Sequence, residues 1–306
     1  MTSSPVPELA LSAYIQGGEA RAAFSRDLFA ALQRFGFVII REHTVAPALL
    51  ERAYGLCAEL FALPEKDKRG CVGGPRGYAP LGTEHARDRA AADLKEFWQI
   101  GPERPKHGPA PPNLWPPALL GLRETFLALF AALQESGAML LSALTPGLGV
   151  PSDFFAARLE GHNSVLRLLH YPPVPADVDP ASTRSAEHED INLLTLLPGP
   201  RGPGLEILDR DGTWLTIDAG PHDLIVDSGD MMAVLTNDVI PATTHRVLRP
   251  ADAGQSRYSM PFFMHPDPYV VLSCLPSCQG SGVRHAETTA GEFLETRLRE
   301  IGLVRG

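Results

Sequence analysis

His188-Glu189-Asp190-Ile191-Asn192-Leu193-Leu194-Thr195-Leu196-Leu197 decides how this chain reads. Two potential metal ligands open an apolar, β-rich run predicted as a strand over Asp190–Leu197. On a strand, residues i and i+2 share a face, so His188 and Asp190 address one ion while Glu189 points away. A His-x-Asp triplet alone is weak evidence, and the chain carries a second copy at His265-Pro266-Asp267. There a proline between the ligands spoils a ladder strand, and only His285 follows. The first copy is followed by His245 in the run THRVL and then by Arg257-Tyr258-Ser259, where Arg257 and Ser259 share a face. The candidate metal ligands are therefore His188, Asp190 and His245.

Two histidines and one carboxylate leave coordination sites open, which suits iron(II) oxygen chemistry. A zinc hydrolase is the competing use of the same ligands. Arg257 beside Ser259 favours the iron option, because a buried guanidinium suits bidentate capture of a carboxylate from a substrate or co-substrate. The plainer alternative is that Arg257 only pairs with an acidic residue of the chain.

Outward from this core, short β-rich runs are predicted at Val165–Tyr171, Leu205–Leu208, Thr213–Ile217, Leu224–Val226, Met231–Leu235, Thr243–Leu248 and Tyr258–Met264. They lie too close together for βαβ crossovers and predict a sandwich or barrel. Upstream, helical periodicity runs from Glu19 to Phe35 and from Ala46 to Leu63, with Phe37–Ile40 a buried strand between them. Gly73–Gly82 reads as a loop, Asp93–Ile100 as a strand, Pro102–Pro117 as irregular, and Pro116–Leu144 and Ala290–Ile301 as helices. The predicted fold class is α+β with a mainly β core: a double-stranded β-helix (jelly roll) with N-terminal helices and a C-terminal helix packed outside. It forms a single unit over 1–306, with a mainly helical region at 1–160, the jelly-roll core at 161–275, and a tail and helix at 276–306.

The 306 residues carry a formal net charge of -9 and no basic run, which argues against a nucleic-acid partner. The N-terminus shows no signal-peptide pattern, and Thr125–Leu133 is too short to span a membrane. Four cysteines form no CxxC or zinc pattern, so reduced thiols and a cytoplasmic location are expected. Asp223, Asp227 and Asp230 read as turn chemistry rather than a calcium site. His43, His85, His107, His162, His170, His222 and His285 lack partners at ligand spacing, and His170 should face away from its neighbour Tyr171. Arg76 and Tyr78, on a loop over the barrel mouth, are candidate substrate contacts, as are Arg184 and Phe263.

The segments GHNSVLRLLHYPP, HEDINLLTLL, GLEIL, DLIVDSGDMMAVLTND, THRV and RYSMPFF occur in that order. Together they resemble the isopenicillin N synthase-like family of 2-oxoglutarate/iron(II) dioxygenases. FGFVIIREH, LFALPEKDK, RGYAP and DLKEFWQIG extend the resemblance from about Val6 to Leu275. It implies iron(II) at the open end of the β-helix, with 2-oxoglutarate as co-substrate and O2 as oxidant. The family's metal ligands fall on His188, Asp190 and His245, its carboxylate-binding pair on Arg257 and Ser259, and a further co-substrate tyrosine on Tyr171. Many plant members have asparagine two residues before that tyrosine, where this chain has Leu169. The implied reaction couples oxidative decarboxylation of 2-oxoglutarate, yielding succinate and carbon dioxide, to hydroxylation, desaturation or cyclisation. The substrate would be a small molecule such as an amino acid, peptide or natural-product intermediate. Isopenicillin N synthase itself uses no 2-oxoglutarate, and this chain shares with it the His-Glu-Asp triplet and Leu235–Asn237. An oxidase of that type, or a non-enzymatic cupin-like binding module, are the alternatives at this stage.

Overall fold

The computed structural model describes residues 5–72, 74–84, 93–107, 111–173, 183–248 and 254–301. Gly73 of the predicted loop and His85 lie outside the described residues.

The strands of the two larger sheets, in chain order, are β1 (Glu8–Ala10), β2 (Phe37–Arg41), β3 (Gly77–Ala79), β4 (Glu96–Ile100), β5 (Val165–Tyr171), β6 (Ser185–His188) and β7 (Leu194–Pro198). They continue with β8 (Leu205–Leu208), β9 (Trp214–Thr216), β10 (Leu224–Ser228), β11 (His245–Val247), β12 (Arg257–Ser259) and β13 (Phe262–Met264). The main sheet runs β1-β2-β10-β7-β13-β5-β4-β3, with β12 also paired to β5; a smaller sheet runs β6-β11-β8-β9. The principal helices are α1 (Gly18–Phe35), α2 (Pro47–Ala62), α3 (Leu122–Leu148), α4 (Asp230–Thr236) and α5 (Ala290–Glu300).

Side-chain alternation divides the main sheet between two cores. On β2 and β10, Phe37, Ile39 and Ile225 face the small sheet and pack with Leu205, Ile207 and Val247. Val38, Ile40, Leu224 and Val226 face the other way, into the larger core built by the helices. Both faces are covered, which explains why β10 reads as a continuous apolar run rather than an alternating one. The result is the expected α+β jelly roll with helices outside.

Helix α3 is long and apolar enough by length and composition to cross a membrane, yet half of its most apolar window is buried inside the protein. Phe126, Leu129, Leu133, Leu140, Leu141 and Leu144 sit in the helix-side core. Pro146 costs its last turn one backbone bond, and the Thr145 hydroxyl donates to the Ser142 carbonyl instead, at 2.8 Å. Where α3 crosses the sheet, Gly137 allows contact: a Cβ there would lie 2.0 Å from Met264 Sδ and 3.2 Å from Leu196 Cδ1. Gly137→Ala improves helix propensity but overpacks this crossing. It is expected to cost about 1–3 kcal/mol, seen as a lower midpoint in thermal unfolding; an unchanged or raised midpoint would show that the crossing is loose.

Three local expectations are corrected. Met231–Leu235 is not a strand but the body of α4, because Gly229 is extended at its N-cap, Asp230 occupies the first turn and Asn237 closes it in the left-handed conformation. An unbroken apolar run does not by itself distinguish a buried strand from a short buried helix. The Gly73–Gly82 loop contains β3, paired to β4 through Tyr78 opposite Trp98. The predicted strand Asp190–Leu197 begins only at Leu194: His188 closes β6, and Asp190 lies in the connection between β6 and β7.

Candidate active site

The smaller sheet and the connection after β6 bring the two histidines and the carboxylate together. His188 on β6 lies directly across from His245 on β11 in the antiparallel register. Asp190 Oδ1 is 3.8 Å from His188 Nε2 and 3.9 Å from His245 Nε2, and a ligand atom from each residue falls within 4.8 Å of the others. Convergence thus comes from strand pairing and a turn, not from one strand face.

Each histidine is held in the tautomer a metal requires. Nδ1 of His188 donates to the Ala186 carbonyl at 2.7 Å, and Nδ1 of His245 donates to the Thr243 carbonyl at 3.1 Å. Both Nε2 lone pairs are left free toward Asp190. Burial, reinforced by the neighbouring His188, lowers the pKa of His245 to about 4, so it is a neutral ligand at physiological pH.

Asp190 is itself oriented. The Thr195 hydroxyl donates to its Oδ2, and the buried carboxyl of Asp227 on β10 is hydrogen-bonded to it. Burial and then the Asp190 carboxyl beside it push the pKa of Asp227 well up, which favours a proton held between the two carboxyls. The Asp230 amide donates to the Asp190 carbonyl at 2.7 Å. Gly229 permits that approach, since a Cβ there would lie 2.5 Å from the Asn192 carbonyl oxygen and 2.7 Å from that of Asp190. Thr195→Val is expected to weaken iron(II) affinity about 10- to 100-fold, measured by anaerobic titration; an unchanged affinity would mean the hydroxyl does not orient the ligand.

The group opens on a cavity lined by residues of both sheets, among them Phe37, Leu197, Leu205 and Val247, with about 590 Å³ of empty space when its solvent-open mouth is included. Tyr171, Arg257, Ser259 and Phe263 also line it. Arg257 is 1% exposed; its Nη1 donates to Ser259 Oγ at 3.2 Å, its Nε to the Gly202 carbonyl at 3.3 Å, and its guanidinium lies 5.1 Å from the Tyr171 ring centroid. Among the described residues no carboxylate forms an ion pair with Arg257, so the plainer alternative of a partner within the chain finds no support there.

The remaining expected site residues lie elsewhere. Arg76 packs over Gly101 and donates to the Pro102 carbonyl at 2.9 Å, while the Tyr78 hydroxyl donates to Glu96 and Glu65; neither lines the cavity. Their loop folds inward as β3, which turns both side chains into supports. Arg184 is buried and donates to the Gln255 carbonyl, two residues before Arg257, without lining the cavity. The second His-x-Asp copy is structural: Asp267 takes His107 Nε2 at 2.6 Å and the Tyr269 amide at 3.0 Å. His170 faces away from the cavity, bonded to Glu96 at 2.7 Å and to Ser256 at 3.0 Å.

Sequence reasoning gave Asp227 to a turn, whereas it is buried within β10 beside Asp190, and it missed Thr195 and a buried ion network. Lys95 contacts Glu84 and Asp93 at 2.8 Å each, and Asp93 accepts the Ala186 amide at 3.1 Å, two residues before His188. The available signal for Asp227 was parity, because it shares the inward face of β10 with Ile225.

Glu96, outside the cavity, adds a pH dependence. Burial raises its pKa, but hydrogen bonds from His170, Lys68 and Tyr78 outweigh that and lower it to about 2. A depressed carboxylate pKa contributes stability that is present above the unfolded value, near 4.5, and is lost as pH falls toward 2. Denaturant unfolding between those pH values should show a steeper acid loss in the parent protein than in Glu96→Gln; equal slopes would contradict the assignment.

Residues 6–118 match the family described as "non-haem dioxygenase in morphine synthesis N-terminal", and residues 162–266 match the 2OG-Fe(II) oxygenase superfamily. The 2-oxoglutarate-Fe(II) type oxidoreductase hxnY of Emericella nidulans is 31% identical over 88% of this chain and 81% of its own length. The chain belongs to the 2-oxoglutarate/iron(II)-dependent dioxygenases. A 2OG-Fe(II) oxygenase family protein from Caulobacter crescentus superposes on this dioxygenase with a TM-score of 0.87 and 36% identity, over 97% of this chain and 99% of that one. A full-length Neurospora crassa protein, in complex with alpha-KG and thymine, gives a TM-score of 0.87 at 26% identity, with 96% of each chain covered. The dioxygenase uses iron(II), 2-oxoglutarate and O2, and neither the oxidase nor the cupin-like alternative is favoured. Its donor set fits the metal: two imidazoles and one oriented carboxylate are the facial donor set of such enzymes, and the three residues line the cavity.

Proposed function

We propose that Arg257 and Ser259 receive the far carboxylate of 2-oxoglutarate, with Tyr171 walling the same end of the cavity. The observation that carries this reading is a guanidinium buried to 1% exposure, without a carboxylate partner among the described residues, on the lining that also holds the His-Asp-His group. A buried cation of this kind is costly until an anion joins it. When bound, iron(II) with 2-oxoglutarate and O2 supplies an oxidant for an unactivated substrate C–H, with succinate and carbon dioxide as co-products. His188, Asp190 and His245 would hold the iron through two imidazole nitrogens and one carboxylate oxygen. Thr195 and Asp227 keep Asp190 aimed, and the apolar side chains of Leu169, Leu197, Ile225 and Val247 keep water from the reacting centre.

The substrate we infer is a small molecule. The relatives support that scale: the Neurospora crassa protein is in complex with thymine, and the proline hydroxylase buaE of Petromyces alliaceus is 30% identical over 90% of this chain. A cytoplasmic setting is also proposed, on the four unpaired thiols. The test is product analysis after O2 is admitted to protein holding iron(II) and 2-oxoglutarate. Succinate should form in an iron-dependent way and should vanish in His188→Ala. Iron binding without any succinate would reject the reading.

A further inference from the structure

The cavity holds a second arginine that neither the metal nor the co-substrate accounts for. Strand β5 presents Arg167, Leu169 and Tyr171 to the cavity on one face. Register fixes their order: Tyr171 is opposite Arg257, Leu169 is opposite Ser259, and Arg167 lies further toward β13, which carries Phe263. Four residues of strand separate Arg167 from Tyr171 by about 13 Å. A carboxylate seated on Arg257 therefore leaves the Arg167 end of the chamber free.

Arg167 is immobilised there. Its Nη1 donates to both carboxylate oxygens of Glu84, at 3.0 and 3.2 Å, and its Nη2 donates to Gln99 Oε1 at 3.3 Å. Its guanidinium carbon lies 4.5 Å from the Phe97 ring centroid and 5.2 Å from that of Phe263. The side chain is 13% exposed, and its buried Nε has no partner. A guanidinium carries five N–H donors, so some remain unused after these bonds. Its charge is not unused: Glu84 matches Arg167, and Asp93 matches Lys95, which also contacts Glu84. A carboxylate arriving here would meet Glu84 and Asp93 with no surplus cation, whereas a neutral acceptor meets rigid donors and a flat ring. This differs from Arg257, whose charge has no such match among the described residues.

We propose that Arg167 and Phe263 form the substrate-recognition subsite of this dioxygenase, and that it takes a planar, uncharged group bearing a carbonyl oxygen, such as a carboxamide or ring amide, in preference to a carboxylate. The proposal rests on the reading that Arg257 serves 2-oxoglutarate, which leaves Arg167 for the substrate. Arg167 donates to the carbonyl oxygen and Phe263 stacks on the plane beside it.

The matched pair benzamide and benzoate tests this, by calorimetric titration under nitrogen into protein holding iron(II), with and without 2-oxoglutarate. Benzamide should bind about tenfold more tightly than benzoate. Phe263→Ala, and separately the double variant Glu84→Gln/Arg167→Met, should each weaken benzamide about fivefold or more while leaving 2-oxoglutarate affinity unchanged. The double variant removes both members of the ion pair, so no charge is orphaned, and Lys95 keeps Asp93. Benzoate binding as well as benzamide, no benzamide binding, or an affinity untouched by both changes would overturn the proposal. Titration of 2-oxoglutarate into the same samples reports the Arg257 reading separately.

Discussion

Asp190→Ala is expected to abolish tight iron(II) binding and to lower turnover by on the order of 10³-fold or more, since metal activation is worth several kcal/mol of barrier. Asp190 is the sole anion of the donor set, and both histidine Nε2 atoms lie within 3.9 Å of its Oδ1. The variant should still fold. Asp227 and Asp190 are two carboxyls in hydrogen-bond contact in a buried site, and burial, then that contact, pushes the pKa of Asp227 well up. Removing Asp190 takes a hydrogen-bond partner from Thr195 and Asp227 but also takes a second carboxyl away from the buried Asp227, so the thermal midpoint without metal should move only modestly. Loss of activity with retained iron affinity, or a collapse of the midpoint, would show that Asp190 serves packing rather than the metal.

Arg257→Ala is expected to weaken 2-oxoglutarate by about 2–5 kcal/mol, or roughly 30- to several thousand-fold in Kd, the range for truncating one partner of a buried charge pair. Iron(II) affinity measured without co-substrate should be unchanged, because Arg257 is not among the metal donors. Arg257→Lys should recover only part of the loss, since an ammonium cannot reproduce the forked contact with a carboxylate. A Kd for 2-oxoglutarate within about threefold of the parent would place the co-substrate elsewhere. Equilibrium binding in the absence of O2 separates these outcomes from effects on the chemical step.

Much of the architecture was legible because it rests on local periodicity. The helix at Gly18–Phe35 and the strands at Val165–Tyr171 and Leu205–Leu208 follow from the spacing of apolar residues and from glycine punctuation. Local pattern failed where tertiary packing decides. Met231–Leu235 is apolar on every side because α4 is buried all round, so no period survives to mark it as helix. Asp190 sits in a connection, and its aim comes from Thr195, Asp227 and the Asp230 amide rather than from strand geometry.

The metal group itself was legible as an ordered set, His188, Asp190 and His245 followed by Arg257 and Ser259. The second His-x-Asp copy lacked that sequel, and in the fold its aspartate serves His107. Arg76 and Tyr78 misled because a glycine-rich segment suggests a surface loop, whereas β3 pairs with β4 and turns both side chains into supports. The Glu84, Asp93, Lys95 and Arg167 network was invisible for a different reason. Its members come from separate segments, and only the stacking of β4 and β5 brings their charges together.

Anaerobic iron(II) titration followed by visible absorption, with and without 2-oxoglutarate, tests the central claim most directly. A weak metal-to-ligand charge-transfer band should appear only when both components are present, vanish in Arg257→Ala at co-substrate concentrations that saturate the parent, and fail to form in His188→Ala at any concentration. A band that forms equally well in either variant, or iron that binds without any band when 2-oxoglutarate is added, would contradict a co-substrate held between this metal group and Arg257.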